Sequence, residues 1–463
     1  MRYLLLMFIF AANLHAYAGD FHSLYQNLPI KMSEPLAPTI PDNHVSILDF
    51  GGQGDGLTDN TEAFRKAISA LSNKGGGHLN VPPGIYMVGM ISLKDNIDLH
   101  LERNAMMMAS PDKKAFMPEK MENGSAKAVP CVTASKRHDI SITGEGTIDG
   151  NGEWWRAVKR GKVSDEEWKN YREMGGTVTA DGKLWYPYDL KFFDNVADTY
   201  ERQETMRTHL VRFTDCEKVL VKGVTIQNSP KFHLVPQHCK NVIIDGVTVR
   251  CPWNAQNGDG IDLMQCQDVL VTRSSLDVGD DGICLKGGVG QEGVKYGPCQ
   301  NILIIDNTVY HAHGGFVIGS EFSGGMFNIV VKDNTFSGTD TGLRFKSGAG
   351  RGGKTRDIYI SRIYMSDIKN EAVVFETSYA DRPVGSNERG QKTAAEDFIP
   401  EFSNIHIDHV VCRDSKTAIA AKGNISMIHD ISITDCVFFF TKNQMTVDDP
   451  AMIQLKNVEF QTY

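Results

Sequence analysis

A short phrase recurs along this chain: a polar residue, usually Asn or Asp, then an alternating β-branched stretch, then a turn. It stands at Asn96-Ile-Asp-Leu-His-Leu, Asp139-Ile-Ser-Ile-Thr, Lys218-Val-Leu-Val, Asn241-Val-Ile-Ile, Asp268-Val-Leu-Val and Asn301-Ile-Leu-Ile. It returns at Asn328-Ile-Val-Val, Asp357-Ile-Tyr-Ile, Asn404-Ile-His-Ile and Asp430-Ile-Ser-Ile. The interval runs from 23 residues (Lys218 to Asn241) to 33 (Asp268 to Asn301), with wider gaps at insertions. Such a period suits a solenoid coil of short strands better than a helical repeat. A second phrase follows within each period, as Gly260-Ile-Asp-Leu, Gly282-Ile-Cys-Leu, Gly315-Phe-Val-Ile, Gly342-Leu-Arg-Phe-Lys and Ala418-Ile-Ala-Ala. Two strand phrases per period leave little room for helices, so the expectation is an all-β parallel β-helix whose rungs lie ~4.8 Å apart.

The solenoid is expected over residues 45–463 as one catalytic body, preceded by an extension over 19–44. Residues 1–18 carry Arg2, an apolar run from Leu4 to Ala12 and the ending Ala16-Tyr17-Ala18, which predict a cleaved secretory signal and an exported, periplasmic or extracellular protein. Residues 59–71 predict a short helix, capped by Asp or Asn and apolar at Phe64, Ile68 and Leu71, which would plug the open end of the coil. Insertions near 152–205 and 376–402 break the period. The first holds Trp154, Trp155, Trp168, Trp185, Tyr186 and Tyr188, which either pack the insertion onto the coil or wall one end of a saccharide groove.

Stacking the two phrases brings chemistry together. Asp259-Gly-Ile-Asp-Leu263 aligns position for position with Asp281-Gly-Ile-Cys-Leu285, so Asp259 lies over Asp281. The same register puts His313 in the column of Asp280. Strand alternation turns Ile261, Leu263, Ile283, Leu285, Leu343 and Phe345 inward and Lys286, Arg344 and Lys346 outward. One surface then carries three carboxylates, an imidazole and several cations. Aspartates in Gly-Asp-Gly contexts are commonly turn residues, but these share one face. Adjacent acids repel, so one is expected to keep its proton while another stays ionised, the division of labour of a glycosidase. Calcium is the rival use of such acids, opposed by the cations on the same face.

The net charge of -9 gives no support to nucleic-acid binding, and after the leader no apolar run approaches the ~18 residues of a membrane span. Nine cysteines lie in no Cys-x-x-Cys arrangement, which argues against a zinc or redox motif and leaves at least one free thiol. The glycine-rich stretch at 51–56 lacks the Gly-Lys-Ser/Thr of a phosphate loop.

In these residues the chain resembles the polygalacturonases of glycoside hydrolase family 28, which are right-handed parallel β-helices. The family's Asn-x-Asp matches Asn257-Gly-Asp259, its Gly-Asp-Asp matches Gly279-Asp280-Asp281, its Gly-His-Gly matches His313-Gly314, and its Arg-x-Lys matches Arg344-Phe-Lys346. Ala312 stands where the family has the first glycine of Gly-His-Gly. The resemblance implies an inverting hydrolase of α-linked galacturonate in pectin that needs no metal or organic cofactor. It implies Asp280 as the general acid and Asp259 with Asp281 as activators of water. His313 would tune the site, while Arg344 and Lys346 would hold a uronate carboxylate, with Asn257 and Lys286 as further substrate-binding candidates. Tyr359, Tyr364 and Tyr379 are candidates for an aromatic residue the family uses farther toward the C-terminus. Closure of the groove by the two insertions would make the enzyme exo-acting. A rhamnogalacturonan or substituted-galacturonan hydrolase, a calcium-dependent pectate lyase, or a catalytically silent carbohydrate-binding β-helix shares the expected fold. Oligomeric state is open.

Overall fold

The computed structural model describes residues 21–116, 128–188, 207–379 and 397–462. The expected leader lies outside these, as do 189–206 and 380–396 within the two insertions. The described chain winds into a right-handed parallel β-helix, as the repeat and the resemblance led one to expect. One face is a sheet of 11 strands, and the remaining faces join in a sheet of 22. Pairing is parallel throughout both, for example Val219↔Val242, Val242↔Val269 and Val269↔Ile302 on successive coils. Those side chains are wholly buried in one continuous core running the length of the coil, each worth ~1.5–3 kcal/mol of transfer free energy.

The polar residue that opens each phrase has a conformational task. Asn96, Asp139, Lys218, Asn241, Asp268, Asn301, Asn328, Asp357, Asn404 and Asp430 all sit in the left-handed region, with φ from 52° to 60°. Asn and Asp tolerate that region better than other residues with a side chain, which is why they occupy nine of these ten corners.

The helix Thr61–Asn73 forms near the first coils and buries Ala63, Phe64, Ala67, Ile68 and Leu71. Its start is held by Asp59, whose Oδ1 accepts from Thr61 N at 2.9 Å. Ahead of the coil, Phe21, Leu24, Tyr25, Leu28, Ile30 and Met32 pack on Leu220, Ile243, Leu270, Leu303 and Val330, the outward apolar residues of one face. The first insertion carries a three-stranded antiparallel sheet, Val158–Lys159, Leu184–Tyr186 and Thr177–Val178, and the helix Asp165–Glu173. Buried Arg156 ties it to the coil through Ser229 O at 2.6 Å and Asn228 Oδ1 at 2.8 Å.

All nine cysteines are free thiols and eight are buried, so they act as small core residues. Among the described residues no helix is long and apolar enough to cross a membrane.

Candidate active site

Five consecutive strands of the 11-stranded sheet build the site: β1 (Leu234–Gln237), β2 (Ile261–Met264), β3 (Ile283–Lys286), β4 (Phe316–Ile318) and β5 (Leu343–Lys346). Ile261 pairs with Ile283, Ile283 with Phe316, and Phe316 with Leu343. Just ahead of these strands the same register holds in the turns, where Gly260 N donates to Asp281 O at 2.9 Å and His313 N to Asp280 O at 2.8 Å. Asp259 thus stacks on Asp281 and Asp280 on His313. The glycine after each acid is needed sterically: a Cβ on Gly260 would come within 2.5 Å of Leu276, and one on Gly282 within 2.7 Å of Val309.

The side chains form a connected charge network. Asp281 is buried and receives Lys346 Nζ at 2.7 Å and Arg344 Nη1 at 3.3 Å. Asp280 Oδ1 lies 2.9 Å from His313 Nδ1. Lys286 Nζ stands 4.0 Å from Asp259 and 3.4 Å from Asp262. Asn257 closes the edge, its Oδ1 accepting from Arg207 Nη2 at 2.7 Å. The cations expected to point outward do leave the core but are only partly exposed: the side chains of Arg344 and Lys286 are 19% and 14% exposed, and Lys346 is 6% exposed.

These contacts divide the acids. Burial raises Asp259 well above the usual carboxylate range, and the charges of Asp262, Asp280 and Asp281 raise it further against the pull of Lys286. Asp259 Oδ1 is buried with no hydrogen-bond partner among the described residues. Burial also acts on Asp280 and Asp281 but is outweighed: His313, then Lys346 and Arg344, hold Asp280 low, and Lys346 with Arg344 holds Asp281 low. Burial and the neighbouring carboxylates therefore favour a proton on Asp259, while the adjacent cations favour the ionised forms of Asp280 and Asp281.

Asp280, Asp281 and His313 offer ligand atoms within 4.8 Å of one another. Asp281 of this trio is already paired with Lys346 and Arg344, and a metal there would compete with those cations.

Of the three tyrosines considered, Tyr379 reaches the cluster, its ring 5.1 Å from Lys346 Nζ and 5.8 Å from the Arg344 guanidinium carbon. Tyr359 and Tyr364 lie on the strand Thr355–Ser366 of the other sheet; Tyr359 stacks on His406 and Tyr364 faces solvent. The aromatic insertion packs in part onto the coil. Trp155 is buried edge-on against Phe116, whereas Trp154, Tyr171 and Trp185 line a pocket beside Pro252 and Ala255.

Residues 159–414, more than half of the chain, match the sequence model of "Glycosyl hydrolases family 28". The chain belongs to that family. This family 28 chain is 29% identical over 351 residues to an exo-poly-alpha-D-galacturonosidase of Dickeya chrysanthemi, covering 73% of itself and 57% of that protein. It is 30% identical over 338 residues to a probable polygalacturonase of Vitis vinifera, covering 70% of itself and 61% of the relative. The chain thus spans about three-fifths of the length of these two curated relatives. Among solved structures it resembles a hyperthermoactive exopolygalacturonase from Thermotoga maritima, with 30% identity, a TM-score of 0.72 and coverage of 92% of this chain and 94% of the other. Residues 44–109 also match a model described as rhamnogalacturonase A/epimerase, pectate lyase-like, but that stretch lies outside the segment that holds the acids.

Three residues of this family 28 site escaped the sequence reading. Asp262 is fully buried beside Lys286, and Asp340 Oδ2 lies 3.9 Å from His313 Nε2. Lys162, from the first insertion, brings its Nζ to 3.4 Å from His313 Nε2. Strand alternation turns Asp262 outward like its neighbour's Lys286; a loop-borne cation such as Lys162 has no periodic signal at all.

Proposed function

We propose that this protein is an inverting glycoside hydrolase that cleaves α-linked galacturonate in pectic polysaccharide and works from a chain end. The observation that carries the reading is the juxtaposition of stacked Asp259 and Asp281 with the Asp280–His313 pair, and of both with Arg344 and Lys346. Two cations face the single carboxylate Asp281, and a uronate carboxylate suits the guanidinium and ammonium side by side as a second anion, which a neutral sugar lacks.

Asp280 protonates the glycosidic oxygen as the C1–O bond breaks. Water held at Asp259 and Asp281 attacks C1 from the opposite face and gives up its proton to a carboxylate, which inverts the anomeric centre. His313, Lys346 and Arg344 hold the pKa of Asp280 down against burial. A uronate neutralises Lys346 and Arg344, which raises the affinity of Asp280 for the proton it must deliver. Endwise action is supported by the first insertion, which reaches the catalytic row itself through Lys162. A pectic polymer lies outside the cell that degrades it, so this reading also requires an exported enzyme.

The test is a time course of sugars released from polygalacturonate, rhamnogalacturonan and pectic oligosaccharides by wild type and Asp280→Asn. Saturated monogalacturonate formed only by wild type is the expected result. Unsaturated products lost on chelation would replace the hydrolase by a lyase, and a ladder of oligomers would remove endwise action.

A further inference from the structure

We infer that Lys162 is a specificity residue that recognises the carboxylate of a second uronate, the sugar lying against His313 and Asp280. The inference rests on the galacturonan reading and extends it to a position outside the four motifs.

Lys162 ends the short turn Arg160–Lys162 of the first insertion. The turn is held on both sides: Arg160 N donates to Lys183 O at 2.8 Å, and Arg160 Nη1 donates to Val163 O at 2.9 Å. From there the Lys162 side chain crosses to the catalytic row and places Nζ 3.4 Å from His313 Nε2. On its other side the same ring places Nδ1 2.9 Å from Asp280 Oδ1, so the imidazole stands between Lys162 and the acid. The other charged groups facing this imidazole are Asp280 at 2.9 Å and Asp340 at 3.9 Å, the latter paired with Lys369 at 3.1 Å.

A half-buried ammonium whose contact is a ring nitrogen rather than a carboxylate is poorly compensated. Among the described residues Lys162 has no carboxylate within 4.0 Å, and burial lowers its pKa despite the pull of Asp280 and Asp340. Arg344 and Lys346 stand on the other side of the row, beside Asp281 at 3.3 and 2.7 Å. A galacturonan chain carries a carboxylate on every sugar. When one is taken by Arg344 and Lys346, an adjacent sugar brings a second, and Lys162 is the cation positioned on the Asp280 side to receive it. Moving to that anion, Lys162 releases Nε2 of His313.

The test uses the full-length enzyme, with trigalacturonate and trigalacturonates methyl-esterified on one sugar at a time. Lys162→Met should lower kcat/KM on trigalacturonate by about 10- to 100-fold, chiefly through KM. Lys162→Arg should restore most of it. On the one ester that removes the carboxylate facing Lys162, wild type and Lys162→Met should be equal, while the other esters keep the full difference. A loss of the same size on every ester would leave Lys162 a support for His313 alone and overturn the recognition role, as would unchanged kinetics. Calorimetric titration of trigalacturonate into Asp280→Asn, with and without Lys162→Met, keeps the test independent of turnover; equal affinity overturns the inference. Should Lys162→Met misfold, Lys162→Gln replaces it, with melting temperature as the check. If the wild type neither cleaves nor binds any galacturonate, the proposed substrate itself fails; if it cleaves but ignores Lys162, only this inference fails.

Discussion

Asp262 shows how much a single buried carboxyl shapes this molecule. It sits between rungs carrying Val235 and Cys284, with Lys286 at 3.4 Å, and burial pushes its pKa from 3.8 to about 7. The folded protein then binds more protons than the unfolded chain between those values, so stability falls as pH rises from about 4 to about 7. The shift bounds the effect at ~4 kcal/mol. Asp262→Asn should flatten that decline in denaturant midpoints measured against pH, and parallel profiles for the two proteins would refute the assignment. Arg344→Ala should raise KM for galacturonate about tenfold or more while changing the melting temperature little; unchanged kinetics would remove Arg344 from the site. At this scale the sequence was legible wherever register alone decided position. Asp259, Asp280, Asp281 and His313 were placed by counting along repeats. Their proton affinities were not, because these depend on which cation lies nearest: burial raises Asp259, while His313, Lys346 and Arg344 hold Asp280 low. Tyr379 could be told from Tyr359 and Tyr364 only after the path of the chain beyond β5 was known.

Among the elements, the coil corners follow directly from the recurring Asn and Asp, since a left-handed residue is required there. Lys218 is the exception among the ten, at φ 55°. Lys218→Asn should therefore stabilise the protein by roughly 0.5–1 kcal/mol, read from the denaturation midpoint, unless its ion pair with Asp139 at 3.7 Å is worth as much; a net loss would contradict the corner argument. The first insertion was legible as a break in the period and as an aromatic cluster. Its reach into the catalytic row was not, because insertions obey no repeat and their placement is set by contacts such as those of Arg156. Arg156→Ala should loosen that anchor and shift products from monomers toward mixed oligomers; an unaltered product ratio would separate the insertion from endwise action.

For the whole molecule, one apolar core runs along the described coils and the acids stand beside the 11-stranded sheet. The cysteines belong to that core: in the native protein a thiol reagent should modify at most the half-buried Cys251, and all nine after unfolding. Rapid modification of several would mean a looser coil. The stacking of Asp259 on Asp281 and Asp280 on His313 is a property of the solenoid as a whole, for a one-residue slip in any coil would send these side chains to the wrong face. The claim that this stacking performs inversion is tested most directly by proton NMR of the first sugar released from an α-linked oligogalacturonate, recorded before mutarotation. The β-anomer appearing first is the predicted result; the α-anomer appearing first would contradict it.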